Sequence, residues 1–266
     1  MAYTNPLIAR WRAGEPTLGA WLTTPDPSIA EYFANCGFDE VCADQQHSTI
    51  SLDSLASIFQ AVSARGSVPT CRVPYNDPYL IGKSLDLGAE MVIVPMVNNR
   101  AEAERAVAAF HYPPRGIRSA GPVRSPYVMG GDERALEQAA CVVMVETKDG
   151  LRNVDEIAST PGVDAVYIGP GDLALGLGQS WSASNWTPAQ AKAHADAIET
   201  IRAACERHGV APGIHVGDAA ASARYIEQGF LLLTVSSDLG TIDTFARREL
   251  AIAKAATPPS RARRAR

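Results

Sequence analysis

Short apolar runs alternate along the chain with longer stretches whose apolar positions fall three and four residues apart, the signatures of strand and helix. The runs at 18–24, 40–44, 67–73, 91–97, 141–147, 165–169, 211–216 and 231–236 read as strands. The run at 91–97 is apolar enough to be covered on both faces, as the strands of a parallel sheet are. Helical stretches follow at 27–35, 52–64, 78–88, 100–110, 152–159, 187–208 and 218–228, with a last one from 238 onward. Asp26-Pro27 and Asp77-Pro78 each join a good N-cap to a residue suited to the first turn, and Thr187 with Gln190 forms a capping box. The stretches 111–132 and 170–186, rich in glycine and other turn formers, are expected to be irregular.

Strand–helix units repeated in this way, without a linker-like break, predict a single (β/α)8 TIM barrel over residues 1–266, with a short basic tail from about 257. A doubly wound open sheet is the alternative. The first strand-to-helix turn has no GxGxxG, which weighs against it.

Composition narrows the function classes. Apolar residues make up 46% and charged residues 20%, which excludes a largely disordered chain. A net charge of −5 argues against a nucleic-acid partner, and the arginines at 261–266 follow Pro258-Pro259 and read as a solvated tail. The five cysteines form no CxxC pair, and Cys42, Cys71 and Cys141 lie within apolar strands, so a reducing, cytoplasmic setting is expected. The amino terminus lacks a basic region followed by an apolar core, and no apolar stretch approaches the ~20 residues that span a bilayer, so neither a secretory leader nor a membrane partner is expected.

The polar residues at the strand ends suggest a chemistry. In a barrel of this type catalytic groups sit at the carboxyl ends of the strands. Asp44 and His47 come at the close of the second strand, Arg72 lies near the end of the third, Glu146 near the end of the fifth and Asp172 just after the sixth. Singly, each has a plainer reading: Glu146 as an ion-pair partner, Asp172 as a helix cap, His47 as a surface loop residue. Together they are the parts of a divalent-metal enolate site. Glu146 and Asp172 can face each other across the barrel mouth, and two carboxylates with water suit Mg2+ or Mn2+. Such an ion accepts a 2-oxo acid through its carboxylate and keto oxygens.

Several ordered motifs also resemble one family. They are Ala-Asp-Gln-Gln-His (43–47), Cys-Arg-Val-Pro (71–74), Ser-Leu-Asp-Leu-Gly-Ala (84–89), Ile-Val-Pro-Met-Val (93–97), Tyr-Pro-Pro-Arg-Gly-Ile-Arg (112–118), Val-Glu-Thr (145–147), Ile-Gly-Pro-Gly-Asp-Leu-Ala (168–174) and Ser-Ser-Asp-Leu-Gly (236–240). Over residues 18–239 the chain resembles the HpcH/HpaI aldolase family, the metal-dependent pyruvate aldolases that include 4-hydroxy-2-oxoheptanedioate and 2-dehydro-3-deoxyglucarate aldolases. The resemblance implies a C–C lyase that forms or cleaves 4-hydroxy-2-oxo acids from pyruvate or hydroxypyruvate and an aldehyde, using Mg2+, Mn2+ or Co2+.

It also implies roles. Glu146 and Asp172 hold the ion, and Arg72 binds the keto oxygen. The N–H groups of Gly171 and Asp172 receive the carboxylate, and His47 is the base. Asp44 supports these groups from behind. Asp86 raises the basicity of His47, but it lies at the far end of its helix, so it is expected to reach the site of a neighbouring subunit in a trimer or hexamer. The chain departs from the family pattern at Gln46, where a Glu is common, and at Met144, where a Gln often touches substrate. Both departures point to an altered acceptor pocket. Trp21 lines that pocket or fills the core. Two alternatives stand beside the aldolase: an acyl-CoA lyase of the citrate lyase β or malyl-CoA type, and a 2-oxo-acid-binding barrel without turnover. A Schiff-base mechanism has Lys148 as its sole candidate.

Overall fold

A side-chain acceptor followed by proline opens four stretches of helix. Asn5, Asp26, Asp77 and Thr187 each accept a hydrogen bond from a first-turn N–H, ahead of Pro6–Arg12, Pro27–Asn35, Pro78–Asp86 and Pro188–His208. The helix Pro6–Arg12 was not expected, although Asn5-Pro6 carries the same signal. The computed structural model describes residues 3–256; the expected basic tail lies outside them.

The strands are β1 (Thr17–Leu22), β2 (Glu40–Asp44), β3 (Val68–Arg72), β4 (Met91–Val94), β5 (Ala140–Val145), β6 (Ala165–Ile168), β7 (Ala211–His215) and β8 (Leu232–Ser237). They pair in sequence order, all parallel, and β8 closes on β1. The (β/α)8 barrel is therefore borne out and the open sheet excluded.

Several boundaries differ from expectation, each for a local reason. Strand β4 stops at Val94 because Pro95 has no N–H to pair and Met96 takes a left-handed φ of 58°. The helix expected at 152–159 is two shorter ones, Lys148–Arg152 and Val154–Ala158; the first starts early because the Thr147 hydroxyl caps Gly150 N at 2.9 Å. The stretch at 111–132 contains the short helix Ser125–Met129, and Glu133–Leu136 follows it, capped by Asp132. The stretch from 170 opens as the helix Pro170–Gly176, despite its glycines.

Two apolar layers hold the barrel. Outward side chains such as Val41, Val92, Val143 and Val166 pack under the helices. Inward ones, among them Trp21, Cys42, Ile93, Met144 and Tyr167, fill the barrel. Leu7 and Trp11 of the first helix join the inner layer and close its floor, with Trp11 Nε1 donating to Thr17 Oγ1 at 2.9 Å. At the opposite rim, Asp238 ties β8 to β1: its carboxylate accepts from the N–H and hydroxyl groups of Thr23 and Thr24 at 2.7–2.9 Å.

One acid is buried low in the barrel. Glu40 accepts a hydrogen bond from Thr70 Oγ1, and its carboxyl occupies the space that a Cβ at residue 19 would need, 1.6 Å away. Gly19 is required for that reason. The last helix, Asp238–Ala255, is the opposite case: Leu239, Ile242, Phe245, Leu250 and Ile252 are all more than half exposed. Among the described residues no helix is long and apolar enough to cross a membrane.

Burial, moderated by the Thr70 hydrogen bond and helped by the charge of Asp39, pushes the Glu40 carboxyl up to about 8. An acid whose folded value exceeds its unfolded one costs stability as pH rises between the two, here from about 4.5 to 8. Glu40→Gln is expected to be more stable than the parent at pH 9, by on the order of 5 kcal/mol, with the difference gone near pH 4. Urea unfolding across that pH range measures it.

Candidate active site

The site is organised around Asp44, the last residue of β2. Register places it directly beside Arg72, the last residue of β3. The guanidinium donates to both carboxylate oxygens, Nε to Oδ1 at 2.8 Å and Nη2 to Oδ2 at 2.7 Å, and both residues are buried. Such a paired fork fixes the arginine in orientation as well as in place. Trp21 Nε1 on β1 adds a third bond to Asp44 at 3.2 Å, and the Arg72 guanidinium lies over the indole, 4.9 Å from its centroid. Asp44 Oδ1 also accepts from the N–H groups of Gln46 and His47, at 3.0 and 3.4 Å, which folds the loop after β2 back over the pair. Burial alone would raise the Asp44 carboxyl, but the Arg72 hydrogen bonds and charge, with Gln46 N–H and Trp21, hold it below the usual range.

Across the mouth, Glu146 follows β5. Its Oε1 accepts from Met96 N at 2.8 Å, a bond made possible by the left-handed turn at Met96. Its other oxygen faces Gly169, the residue after β6, where a Cβ would come within 2.5 Å of Oε2 and 3.1 Å of Met144 Cε. Burial first, then the nearby Asp172 charge, push Glu146 up to about 6, against the Met96 hydrogen bond and the Arg72 charge. Asp172 is exposed, in the first turn of Pro170–Gly176. Among the described residues the N–H groups of Gly171 and Asp172 have no hydrogen-bond partner.

A cavity of about 380 Å³ opens between these elements, lined by Trp21, Asp44, His47, Arg72, Met144, Gly171 and Asp172 together with Thr23, Tyr167, Gly169, Pro170, His215 and Ser237. It sits at the carboxyl ends of the strands, where barrel enzymes place their chemistry. The exposed His47 imidazole has no hydrogen-bond partner among the described residues. Gln46 lies beside it, with Oε1 buried and unpartnered. A larger hollow of about 840 Å³ lies at the opposite end, between Trp11, Asp164 and Gly209, away from these groups.

The profile of the HpcH/HpaI aldolase/citrate lyase family matches residues 17–243. The chain belongs to that family. Within it, the hydroxypyruvate/pyruvate aldolase of Rhizorhabdus wittichii is 38% identical over 253 residues, covering 94% of this chain and 99% of that one. The 4-hydroxy-2-oxo-heptane-1,7-dioate aldolase of Shigella boydii is 34% identical, covering 88% and 89%. The crystal structure of an HpcH/HpaI aldolase/citrate lyase family protein from Burkholderia cenocepacia matches with a TM-score of 0.85 at 35% identity, covering 94% of this chain and 100% of the other. The expectation of an aldolase-type lyase on a TIM barrel is borne out.

The HpcH/HpaI barrel thus brings together Trp21, Asp44, His47, Arg72, Met144, Gly171 and Asp172, with Glu146 packed behind Gly169. Asp86 is elsewhere. It ends the helix Pro78–Asp86 on the far side of the barrel and pairs with the buried Arg118, Nη2 to Oδ1 at 2.9 Å. Lys148 lines a separate cleft with Asn98, Glu102 and Asp149. Six lining residues were missed from sequence: Thr23, Gly169, Pro170, Ser237 and, with the most chemistry, Tyr167 on β6 and His215 at the end of β7. His215 carried a signal, since a polar residue closing an apolar strand is what singled out Asp44 and Arg72. Tyr167 did not: within a run buried on both faces, nothing marks which side chains point inward.

Gly169 makes the seat of Glu146 testable. Gly169→Ala is expected to lower stability by about 1–3 kcal/mol through the crowded contact. It should also weaken divalent-metal binding at least tenfold, while Gly171→Ala, whose added Cβ meets nothing, leaves stability unchanged. Urea unfolding and titration calorimetry with Mn2+ read the two effects.

Proposed function

We propose that this chain is a divalent-metal-dependent aldolase that cleaves 4-hydroxy-2-oxo acids to pyruvate or hydroxypyruvate plus an aldehyde, and runs the addition in reverse. The observation that carries this reading is one cavity that joins a clamped arginine, a histidine without a hydrogen-bond partner among the described residues and the exposed Asp172, with the buried Glu146 packed behind its Gly169 wall.

The donor set suits a hard cation. Among the described residues no three His, Cys, Asp or Glu side chains form a metal cluster, but two carboxylates with water are an ordinary Mg2+ or Mn2+ site. Glu146 and Asp172 would hold the ion, Mg2+, Mn2+ or Co2+. When bound, it supplies Lewis-acid polarisation of the 2-oxo group and a template for its two oxygens.

The remaining roles belong to the chain. Arg72 spends two donors on Asp44 and keeps the others for the keto oxygen, where negative charge develops. The free N–H groups of Gly171 and Asp172, at a helix start, suit the substrate carboxylate. His47 takes the proton of the C4 hydroxyl in cleavage and returns it to the new hydroxyl in addition. Met144 replaces a polar wall with an apolar one, and Trp21 closes the side opposite it.

Asp86 would support His47 only across a subunit boundary. The exposed apolar side chains of Asp238–Ala255 favour such an assembly, a trimer or hexamer of this chain. The five free cysteines suit a reducing cytoplasm. Relatives that are named aldolases at 34–38% identity favour this chemistry over acyl-CoA cleavage or binding without turnover.

Pyruvate release from a 4-hydroxy-2-oxo acid is expected to stop on treatment with a chelator and return with Mg2+, Mn2+ or Co2+. Arg72→Ala should lower kcat by ~10²–10³. Turnover that survives full chelation, or a borohydride-trapped pyruvate adduct on Lys148, would overturn the reading. Light scattering should give a multiple of the 28.3 kDa chain mass, reduced by the double variant Ile242→Glu, Phe245→Glu.

A further inference from the structure

One wall of the cavity carries a polar group that the proposed reaction does not use. His215 ends β7 with its side chain inward, two residues after Gly213 on the same face. Gly213 is opposite Tyr167 in the β6–β7 register, and a Cβ there would fall 2.8 Å from Tyr167 Cδ2. The bare backbone at Gly213 therefore lets the Tyr167 ring cross β7. Its hydroxyl then reaches both Thr234 Oγ1 at 2.6 Å and His215 Nδ1 at 3.4 Å. Tyr167 stacks along Trp21 with centroids 6.2 Å apart, and His215 meets the same indole edge-on at 5.1 Å.

Nδ1 of His215 is thus committed to the Tyr167 hydroxyl. Nε2 has no partner among the described residues, and the ring lines the cavity. Two hydrogen-bond patterns are open to the cluster. If Tyr167 donates to Thr234, Nδ1–H donates to Tyr167 and Nε2 is an acceptor. If Tyr167 donates to Nδ1, Nε2–H is a donor. A hydroxyl satisfies either state and a methyl satisfies neither. Burial, then the Arg72 charge, push the imidazole down to about 4, so it stays neutral through the working range and adds no charge to the wall.

The position of this group defines what it meets. Arg72 packs over the Trp21 ring and His215 stands perpendicular to it, so both border one indole. A 2-oxo acid with its keto oxygen on Arg72 of β3 and its carboxylate at Gly171 and Asp172, in the helix that follows β6, has its third carbon left to face the wall formed by β7 and β1. We propose that His215 Nε2, positioned by Tyr167 and Thr234, hydrogen-bonds a hydroxyl on C3 of the donor and makes the site select hydroxypyruvate over pyruvate. This rests on the aldolase reading above and narrows its donor.

Initial-rate kinetics with each donor and one common aldehyde, in saturating Mg2+ or Mn2+, test it. The parent enzyme should show kcat/KM for hydroxypyruvate at least tenfold above that for pyruvate. His215→Leu should lower this ratio tenfold or more, His215→Gln should keep it within about threefold, and Tyr167→Phe should lower it by an intermediate factor. A parent enzyme that prefers pyruvate, or a His215→Leu ratio within twofold of the parent's, overturns the assignment while leaving the aldolase reading intact. Absence of turnover with both donors in the parent overturns the aldolase reading and this assignment with it. If His215→Leu fails to fold, a Tyr167→Phe ratio equal to the parent's overturns the assignment in its place.

Discussion

The buried fork between Asp44 and Arg72 is the constraint on which the rest of the site depends. Five donors converge on one carboxylate: two from Arg72, one from Trp21 and two from the backbone after β2. Neither ion would be tolerated there alone, and breaking such a pair by removing one partner costs roughly 3–5 kcal/mol. The pair belongs to adjacent strand ends, so its geometry is set by barrel register rather than by loop conformation. From it follow the aim of the guanidinium, the fold of the loop bearing His47 and the tilt of Trp21. Through Trp21 it also reaches His215.

The same functional group, a carboxyl, is tuned in opposite directions within one barrel. Asp44 is surrounded by donors and held ionised, while Glu146, with one backbone donor and an acidic neighbour, is poised near 6. Glu40, deeper still and with a single hydroxyl for company, stays protonated at neutral pH. The five donors set Asp44 apart, and between the two glutamates, each with one donor, the deeper burial of Glu40 makes the difference. The charged chemistry is thereby confined to the rim, and the floor is sealed by Leu7 and Trp11.

Much of this was legible in the sequence because its signals were local. The cap-and-proline pairs fixed helix starts, and Asp44, Arg72 and Glu146 declared themselves as polar residues closing apolar strands. What was hidden depended on register or on distance. The inward parity of Tyr167 cannot be read from Ala-Val-Tyr-Ile, since both faces of that strand are covered. The pairing of Asp86 with Arg118 joins segments 32 residues apart, and no local pattern announces it. The helix Pro170–Gly176 was concealed by its own glycines, one of which is unremarkable for space while the other, Gly176, abuts the backbone of Thr147 and Lys148.

Trp21 gives the barrel a built-in optical reporter. Its indole is hydrogen-bonded to a carboxylate, faced by a guanidinium, edged by an imidazole and stacked on a phenol, so the groups around the cavity are also the groups that perturb its excited state. The other three tryptophans stand apart: Trp11 in the floor, Trp181 largely exposed, and Trp186 against His194. A change in emission on ligand entry, isolated by replacing those three, would follow the site directly and without a coupled assay.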